Sequence, residues 1–169
     1  MNRHLELLAQ APDPMVRCQV ANRVTELKTI NQLVSDSNQD VRWHLTYNRQ
    51  LHSKHRIKLS TDPCELVRLS VAEHTQSPPE LLASLSEDPD KSVRQAVAKN
   101  PSTPESALDM LAISPDPVCR EMAGCNPSTN LHTANQLLDD DYQFIVQAVE
   151  AALLIRELKT NLNKLNMDT

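Results

Sequence analysis

The apolar residues of this chain recur in short helical patterns that prolines separate from one another. In the clearest copy, Val93, Ala96 and Val97 stand at positions i, i+3 and i+4, which predicts a short helix with a narrow apolar stripe. A second helix, carrying Leu108 and Leu111, follows after a proline-containing turn. Each copy of the pattern therefore predicts a pair of short helices.

The pair of helices repeats along the whole chain. An arginine directly follows the first apolar position in five copies, at intervals of 25 or 26 residues, and these arginines are Arg17, Arg42, Arg68, Arg94 and Arg120. A fixed period of this length is typical of a solenoid, in which each unit buries its apolar face only against its neighbours. The sequence thus predicts an all-α solenoid of about six 26-residue two-helix repeats.

Prolines and polar residues mark the boundaries within each repeat. Asn100 and Pro101 predict the end of the first helix, because the residue before proline avoids the α region and asparagine tolerates the left-handed conformation. Thr103 and Pro104 predict the start of the second helix, with the threonine hydroxyl at the N-cap and proline at the first helical position.

The order of these residues, D-P-x-x-x-V-R-x-x-V-A-x-N-P-x-T-P-x-x-L-x-x-L, resembles the leucine-rich repeat variant family. The resemblance is strong over residues 62–138 and weaker towards both ends. It implies a right-handed all-helical superhelix that binds other molecules and catalyses no reaction. Members of the family can carry a cysteine-rich iron–sulfur segment before the repeats, and this sequence shows no such segment.

We expect a single helical-repeat domain over residues 1–169, in which residues 1–10 form an N-terminal cap and residues 11–139 form the repeats. Residues 140–166 predict a long C-terminal capping helix, since residues 142–166 contain no proline or glycine and their apolar positions keep helical spacing. Terminal repeats of solenoids need such caps. The alternative for this segment is a dimerisation helix, and we expect a monomer rather than a homodimer.

Composition narrows the class of protein. The chain has 17 basic and 22 acidic residues, a net charge of −5, and only 2% aromatic residues. The acidic balance argues against extended contact with DNA. An apolar run of about 18 residues and a signal-peptide pattern are both missing, so the sequence predicts a cytoplasmic protein without a membrane segment.

The cysteines and the other reactive side chains indicate neither a cofactor nor a reaction. Cys18, Cys64, Cys119 and Cys125 are scattered without a C-x-x-C pair, which supports neither a disulfide framework nor a zinc site. Cys119 takes the place of Val93 in its repeat and is expected to be buried. Helical-repeat DNA glycosylases and bilin lyases exist, but no nucleophile–base pair stands out here, and we expect no cofactor, no metal and no enzymatic activity.

The recurring arginines form the first candidate site. On successive layers about 8–10 Å apart they would lie within about one Debye length of each other, so their charges need neutralising. Aspartates precede the arginines by six or four residues in most repeats. We predict a structural ladder of arginine–carboxylate pairs, and the alternative is an arginine row that binds a ligand. The ladder residues are Arg17, Arg42, Arg68, Arg94 and Arg120 with Asp62, Asp88, Asp90 and Asp116.

Repeat two forms the second candidate site. Residues 41–61 contain five Lys or Arg, three His and no acidic residue, a charge of +5, and Trp43 and Tyr47 share one helical face. We interpret this stretch as a patch that docks another protein. The partner-binding candidates are Arg42, Trp43, Tyr47, Arg49, His52, Lys54, His55, Arg56 and Lys58.

Three alternatives for repeat two stay open. Its basic and aromatic residues could contact a nucleic acid or another polyanion, since Lys and Arg bind phosphates and aromatic rings stack on bases. It could also be a diverged repeat with a core tryptophan and a solvated basic loop. Its histidines could hold a metal, but no cysteine or acidic residue accompanies them.

Overall fold

The computed structural model describes residues 2–167, which form twelve α-helices, one short 3-10 helix (Leu137–Asp139) and no strand. The prediction of an all-α helical-repeat fold is confirmed. The helices are α1 (Asn2–Leu8), α2 (Pro14–Ala21), α3 (Leu27–Leu33), α4 (Gln39–Thr46), α5 (Ser53–Leu59), α6 (Glu65–Glu73), α7 (Pro79–Leu85), α8 (Lys91–Lys99), α9 (Glu105–Ala112), α10 (Pro117–Cys125), α11 (Leu131–Gln136) and α12 (Gln143–Met167).

The chain divides into two compact units, Met1–Leu81 and Leu82–Thr169. In the first unit, α2 packs on α4 and α4 packs on α6, while α3 and α5 lie against α4 and α6. Aliphatic side chains that are fully or almost fully buried, such as Ile30, Leu45 and Leu59, fill the space between these helices. Burial of such side chains against adjacent helices is the main source of stability in a repeat of this size.

The second unit is built in the same way, with α8, α9 and α12 packed on α10. Cys119 is fully buried on α10, as its position in the repeat predicts. Burial, followed by the neighbouring Asp116 carboxylate, raises the pKa of the Cys119 thiol to about 11. The thiol therefore stays protonated near neutral pH and serves as a small apolar side chain.

The polar residues at the repeat turns bond differently from the prediction. Thr103 is not the N-cap of α9, because its hydroxyl donates to the carbonyl of Val97 (2.6 Å) and Pro104 occupies the N-cap. Ser77 donates in the same way to the carbonyl of Val71 (2.6 Å). These hydroxyls satisfy carbonyls that the end of an α-helix leaves without an intrahelical donor.

The asparagines that end the first helices are extended rather than left-handed. Asn100 has φ −70° and ψ 123°, and no residue other than glycine has a positive φ within residues 2–167. The predicted left-handed helix end at Asn100 is therefore wrong. Asn126, which ends α10 in the same way, bonds to the preceding repeat instead. Its Nδ2 donates to the carbonyls of Ala98 (2.7 Å) and Asn100 (2.9 Å).

Candidate functional site

The aromatic side chains of repeat two project from the last turns of α4. Trp43 is half-buried and Tyr47 is 55% exposed. Their rings meet edge to face, with centroids 5.2 Å apart and planes at 80°, and the His44 ring also meets that of Trp43 in an edge arrangement, with centroids 4.9 Å apart. Edge-to-face contact of this kind holds both rings in place. The tryptophan is thus neither a core residue nor a freely solvated one.

A buried asparagine fixes the connection between α4 and α5. Asn48 Nδ2 donates to the carbonyls of Ala21 (2.6 Å) and Val24 (2.9 Å), and its Oδ1 accepts from the backbone N–H of Gln50 (2.8 Å). Because Asn48 is held in this way, the neighbouring Arg49 is left exposed at the turn.

Three basic candidates at this end of the helix pair are exposed, namely Arg49, His52 and Lys54. They follow Tyr47 along the α4–α5 connection and the first turn of α5. Trp43, Tyr47, Arg49, His52 and Lys54 are called the α4–α5 surface below. It combines an ordered aromatic pair with two permanent positive charges and one histidine.

His55 is not part of that surface, because only 3% of it is exposed. Its Nδ1 accepts from the backbone N–H of His52 (3.2 Å), and its Nε2 lies 2.8 Å from Asn31 Oδ1. Since Nδ1 accepts, the ring proton is on Nε2 and is donated to Asn31. The sequence prediction that His55 contacts a partner is therefore wrong, and its role is to join α5 to α3.

Arg56 is also buried, with 4% exposed. Its Nη1 donates to the carbonyl of Leu51 and its Nη2 lies 2.9 Å from His74 Nε2. Its Nε is buried with no hydrogen-bond partner, and burial lowers the pKa of the guanidinium. A side chain enclosed in this way cannot dock a partner, so the prediction for Arg56 is wrong too.

The remaining two candidates lie away from the α4–α5 surface. Lys58 is exposed and donates to Ser35 Oγ. It lines a cleft of about 430 Å³ together with Arg42 and Asp62. Arg42 is occupied there, because its Nε and Nη2 donate to the two carboxylate oxygens of Asp62 at 2.6 and 2.8 Å. Repeat two therefore holds separate groups of basic residues rather than one patch.

Two arginines of the column in the first unit, Arg17 and Arg42, pair with an aspartate of the next repeat. Arg17 Nε and Nη2 donate to the two carboxylate oxygens of Asp36 at 2.7 and 2.9 Å, as Arg42 does to Asp62. Arg68 donates to the carbonyls of Asp62 and Pro63 at the turn before its own helix. The aspartate hydrogen bonds raise the pKa of Arg17 and Arg42 despite their partial burial.

In the second unit, Arg120 pairs with Asp140 at 2.7 and 3.1 Å, and this hydrogen bond holds the pKa of Asp140 below its ordinary value. Asp90 and Asp116 instead lie at N-caps, where they accept from the first backbone N–H groups of α8 and α10. Asp88 Oδ1 accepts from the backbone N–H of Asp90 (2.9 Å).

No group of three or more His, Cys, Asp or Glu side chains within residues 2–167 could hold a metal ion. Of the histidines of repeat two, His44 Nδ1 accepts from Asn22 Nδ2 (3.1 Å), and the His52 and His55 rings lie 5.8 Å apart. None of the helices in this part of the chain combines the length and the apolar character that a membrane crossing requires.

Sequence reasoning missed two asparagines that link consecutive repeats, Asn48 and Asn126. Asn48, His74, Asn100 and Asn126 stand at intervals of 26 residues. This period was a usable signal, because a polar residue at a fixed place in every repeat needs buried partners in the repeat before it.

Two-helix units that bond only to the preceding and following unit define the class of helical repeat proteins. Comparison of the sequence with protein-family models and with curated proteins gives no match. Among solved structures, the chain is similar to a leucine-rich repeat variant with a novel repetitive structural motif, with a TM-score of 0.74 and 24% identity over 89% of this chain. The chain spans 60% of the length of that structure. The predicted resemblance to the leucine-rich repeat variant is confirmed for the fold.

Two engineered proteins share the architecture at lower similarity. A designed armadillo repeat protein in complex with the peptide (KR)4 has a TM-score of 0.56 and 14% identity, over 90% of this chain and 98% of its own. A further engineered protein has a TM-score of 0.52 and 16% identity, over 90% and 96%. At these identities the likeness shows the fold alone.

Proposed function

We propose that the chain is a non-enzymatic scaffold that binds another protein, and that the α4–α5 surface is a docking site. The observation that carries this proposal is the edge-to-face pair of Trp43 and Tyr47, which is ordered yet half open to solvent. Aromatic side chains held in this way are the usual anchors of protein interfaces, since they bury much apolar area with little loss of entropy.

The charge of the surface favours an acidic partner segment. Arg49, His52 and Lys54 are exposed and follow the aromatic pair closely along the chain, and residues 41–61 contain no carboxylate. The designed armadillo repeat protein was solved with a basic peptide, which supports peptide binding as a use of this architecture. The opposite charge of the α4–α5 surface points to an acidic peptide, with Tyr47 contacting an apolar residue within it.

The test is a selection of short peptides from a random displayed library on the full chain, followed by titration of the selected peptides. Trp43 is the only tryptophan, so its emission reports contact with this surface directly. Selected peptides should be acidic and should change that emission. The double variant Arg49→Glu, Lys54→Glu should weaken their binding by about tenfold or more, which corresponds to about 1.4 kcal/mol.

The matched control is Lys28→Glu with Lys99→Glu, two charge reversals at exposed positions outside the surface. Both double variants should unfold at the same denaturant concentration as the original chain, because exposed substitutions usually change stability by less than about 0.5 kcal/mol. Equal weakening by both pairs, or selected peptides without acidic residues, would contradict the proposal. Tighter binding of a single-stranded oligonucleotide, with a log–log salt slope of about −0.7 per phosphate, would favour a nucleic-acid partner instead.

A further inference from the structure

The guanidinium groups of the arginine column share one hydrogen-bond arrangement. In Arg17, Arg42 and Arg120, Nη1 donates to a backbone carbonyl of the turn before the arginine's own helix. The opposite edge, formed by Nε and Nη2, donates to both oxygens of an aspartate 19 or 20 residues later. The Nε distances are 2.6–2.7 Å and the Nη2 distances are 2.8–3.1 Å, which is the bidentate geometry that favours carboxylates.

Arg94 has the first half of this arrangement without the second. Its Nη1 donates to the carbonyls of Asp88 (2.6 Å) and Pro89 (3.0 Å). Among residues 2–167, no carboxylate lies within ion-pair distance of it. The Asp116 carboxylate accepts instead from Gln95 Nε2 (2.8 Å) and from the backbone N–H of Val118 (3.2 Å) in the first turn of α10.

The residue 20 positions after Arg94 is Ser114, which stands in register with the aspartates of the column. Its Oγ accepts from the backbone N–H two residues later, that of Asp116 (3.2 Å). Asp36, Asp62 and Asp140 accept the same bond through Oδ1. Serine thus keeps the turn but ends before the position that the carboxylate occupies in the other repeats.

We infer that the Nε–Nη2 edge of Arg94 is a binding position for a carboxylate supplied by an acidic side chain of another molecule. The guanidinium is half-buried and Nη1 is fixed by the two carbonyls, so its free edge is oriented before any ligand arrives. Ser114 has no carboxylate of its own to place at this register position. A planar guanidinium edge matches a planar carboxylate. This inference does not depend on the α4–α5 surface.

The position can be tested by NMR of the arginine Nε–Hε groups in the full chain. The Arg94 signal is assigned by its loss in Arg94→Lys. Sodium acetate and a blocked tri-glutamate peptide are the two probes, each compared with sodium chloride at equal ionic strength. Both probes should move the Arg94 Hε signal downfield, towards the signals of Arg42 and Arg120, whereas those two signals should stay in place because their edges are already occupied.

The Ser114→Asp variant supplies the carboxylate from within the chain. Its Arg94 Hε signal should lie downfield without any probe and should no longer respond to acetate or to the peptide. Its thermal unfolding midpoint should be higher than that of Ser114→Asn, which adds similar volume without charge. If the Arg94 Hε signal of Ser114→Asp stays where it is in the original chain, residue 114 does not face the Nε–Nη2 edge of Arg94, and the inference is overturned.

The other outcomes are equally decisive. An Arg94 signal that moves with neither probe, or that moves equally with chloride, overturns the inference. A response to acetate alone would show that the edge admits only small free anions and overturn the assignment to an acidic side chain. A response to inorganic phosphate and to neither carboxylate probe would overturn the choice of ligand.

Discussion

His55 is buried and His74 is half-buried in the first unit. Burial is the main cause that lowers the pKa of both rings, and the nearby charges of Lys54, His52 and Arg56 lower that of His55 further. Arg56 also faces the His74 ring at 2.9 Å. A proton added to either ring would therefore create a second positive charge beside an existing one in a poorly hydrated place.

These two histidines should make the fold sensitive to mild acid. Their pKa values are lower in the folded chain than in the unfolded chain, where histidine titrates near about 6.5. At pH values between the folded-state pKa and the unfolded-state pKa, the unfolded chain binds more protons than the folded chain. The stability that the two neutral rings contribute is therefore fully present above about pH 6.5 and decreases as the pH falls below it. The urea midpoint should be lower at about pH 5 than at about pH 7.5.

The matched variants separate the effect of His55 and His74 from that of an exposed histidine. His55→Gln and His74→Gln should each reduce the pH dependence, and His132→Gln, at an exposed position on α11, should leave it unchanged. An unchanged pH dependence in His55→Gln and His74→Gln would show that other groups cause it.

Part of the candidate site could have been predicted better from the repeat register. Arg56 stands 26 residues before Leu82 and 52 before Leu108, both fully buried. The register therefore indicated a core position, although the charge suggested a solvated one. The exposure of Trp43 could not be predicted in this way, because Leu69, Gln95 and Glu121 occupy its place in the later repeats, and this mixture of apolar and polar residues indicates neither burial nor exposure.

At the scale of the helices, the contact between α10 and α12 depends on the only glycine of the chain. A methyl group at Gly124 would lie 2.6 Å from both Leu137 Cδ1 and Val149 Cγ2. Both neighbours are buried and cannot move aside easily. The position thus allows a closer approach of α12 to α10 than alanine would permit.

Gly124→Ala should therefore destabilise the protein. Alanine favours a helix interior by about 0.5–1 kcal/mol over glycine, but overpacking a tight core costs about 1–3 kcal/mol, so the second effect should prevail. Chemical denaturation followed by circular dichroism measures the difference. Cys125→Ala, at the adjacent exposed position, is the control and should stay within about 0.5 kcal/mol of the original chain. A more stable Gly124→Ala variant would mean that α12 adjusts its position at little cost.

The helix boundaries followed from sequence more readily than the role of α12. Prolines and apolar spacing place the helices, because both act locally. Within α12, Ile145 and Val149 are fully buried, whereas the apolar Leu158 and Leu162 are each 59% exposed. Helical spacing is the same in both parts, so spacing alone cannot tell which turns meet a neighbour. The capping role of this helix stays a prediction.

At the scale of the whole molecule, stability should come from contacts between neighbouring repeats. Asn48 bonds to carbonyls 24 and 27 residues earlier, and Asn126 to carbonyls 26 and 28 residues earlier. Each asparagine therefore joins one repeat to the next and reaches no further. Proteins built in this way have stabilities close to a sum of repeat and nearest-neighbour contributions.

Asn48→Ala and Asn126→Ala should each lower stability by about 1–3 kcal/mol, since buried carbonyls lose their donors. The two residues share no hydrogen-bond partner, so the double variant should show the sum of the two losses within about 0.5 kcal/mol. Urea unfolding of the four proteins measures this. A loss that is clearly smaller or larger than the sum would reveal coupling across the repeats that the hydrogen bonds do not provide.

The reach of these bonds also bears on how such a chain can lengthen or shorten in evolution. Arg17, Arg42 and Arg120 each bond to an aspartate 19 or 20 residues later, and Asn48 and Asn126 each bond to carbonyls 24–28 residues earlier. Duplication or loss of one complete period that carries these residues joins each donor to an equivalent acceptor. Ser114 stands where other repeats have an aspartate, and it keeps the hydrogen bond of the turn without supplying a carboxylate. The number of repeats and the surface available for binding can therefore change independently.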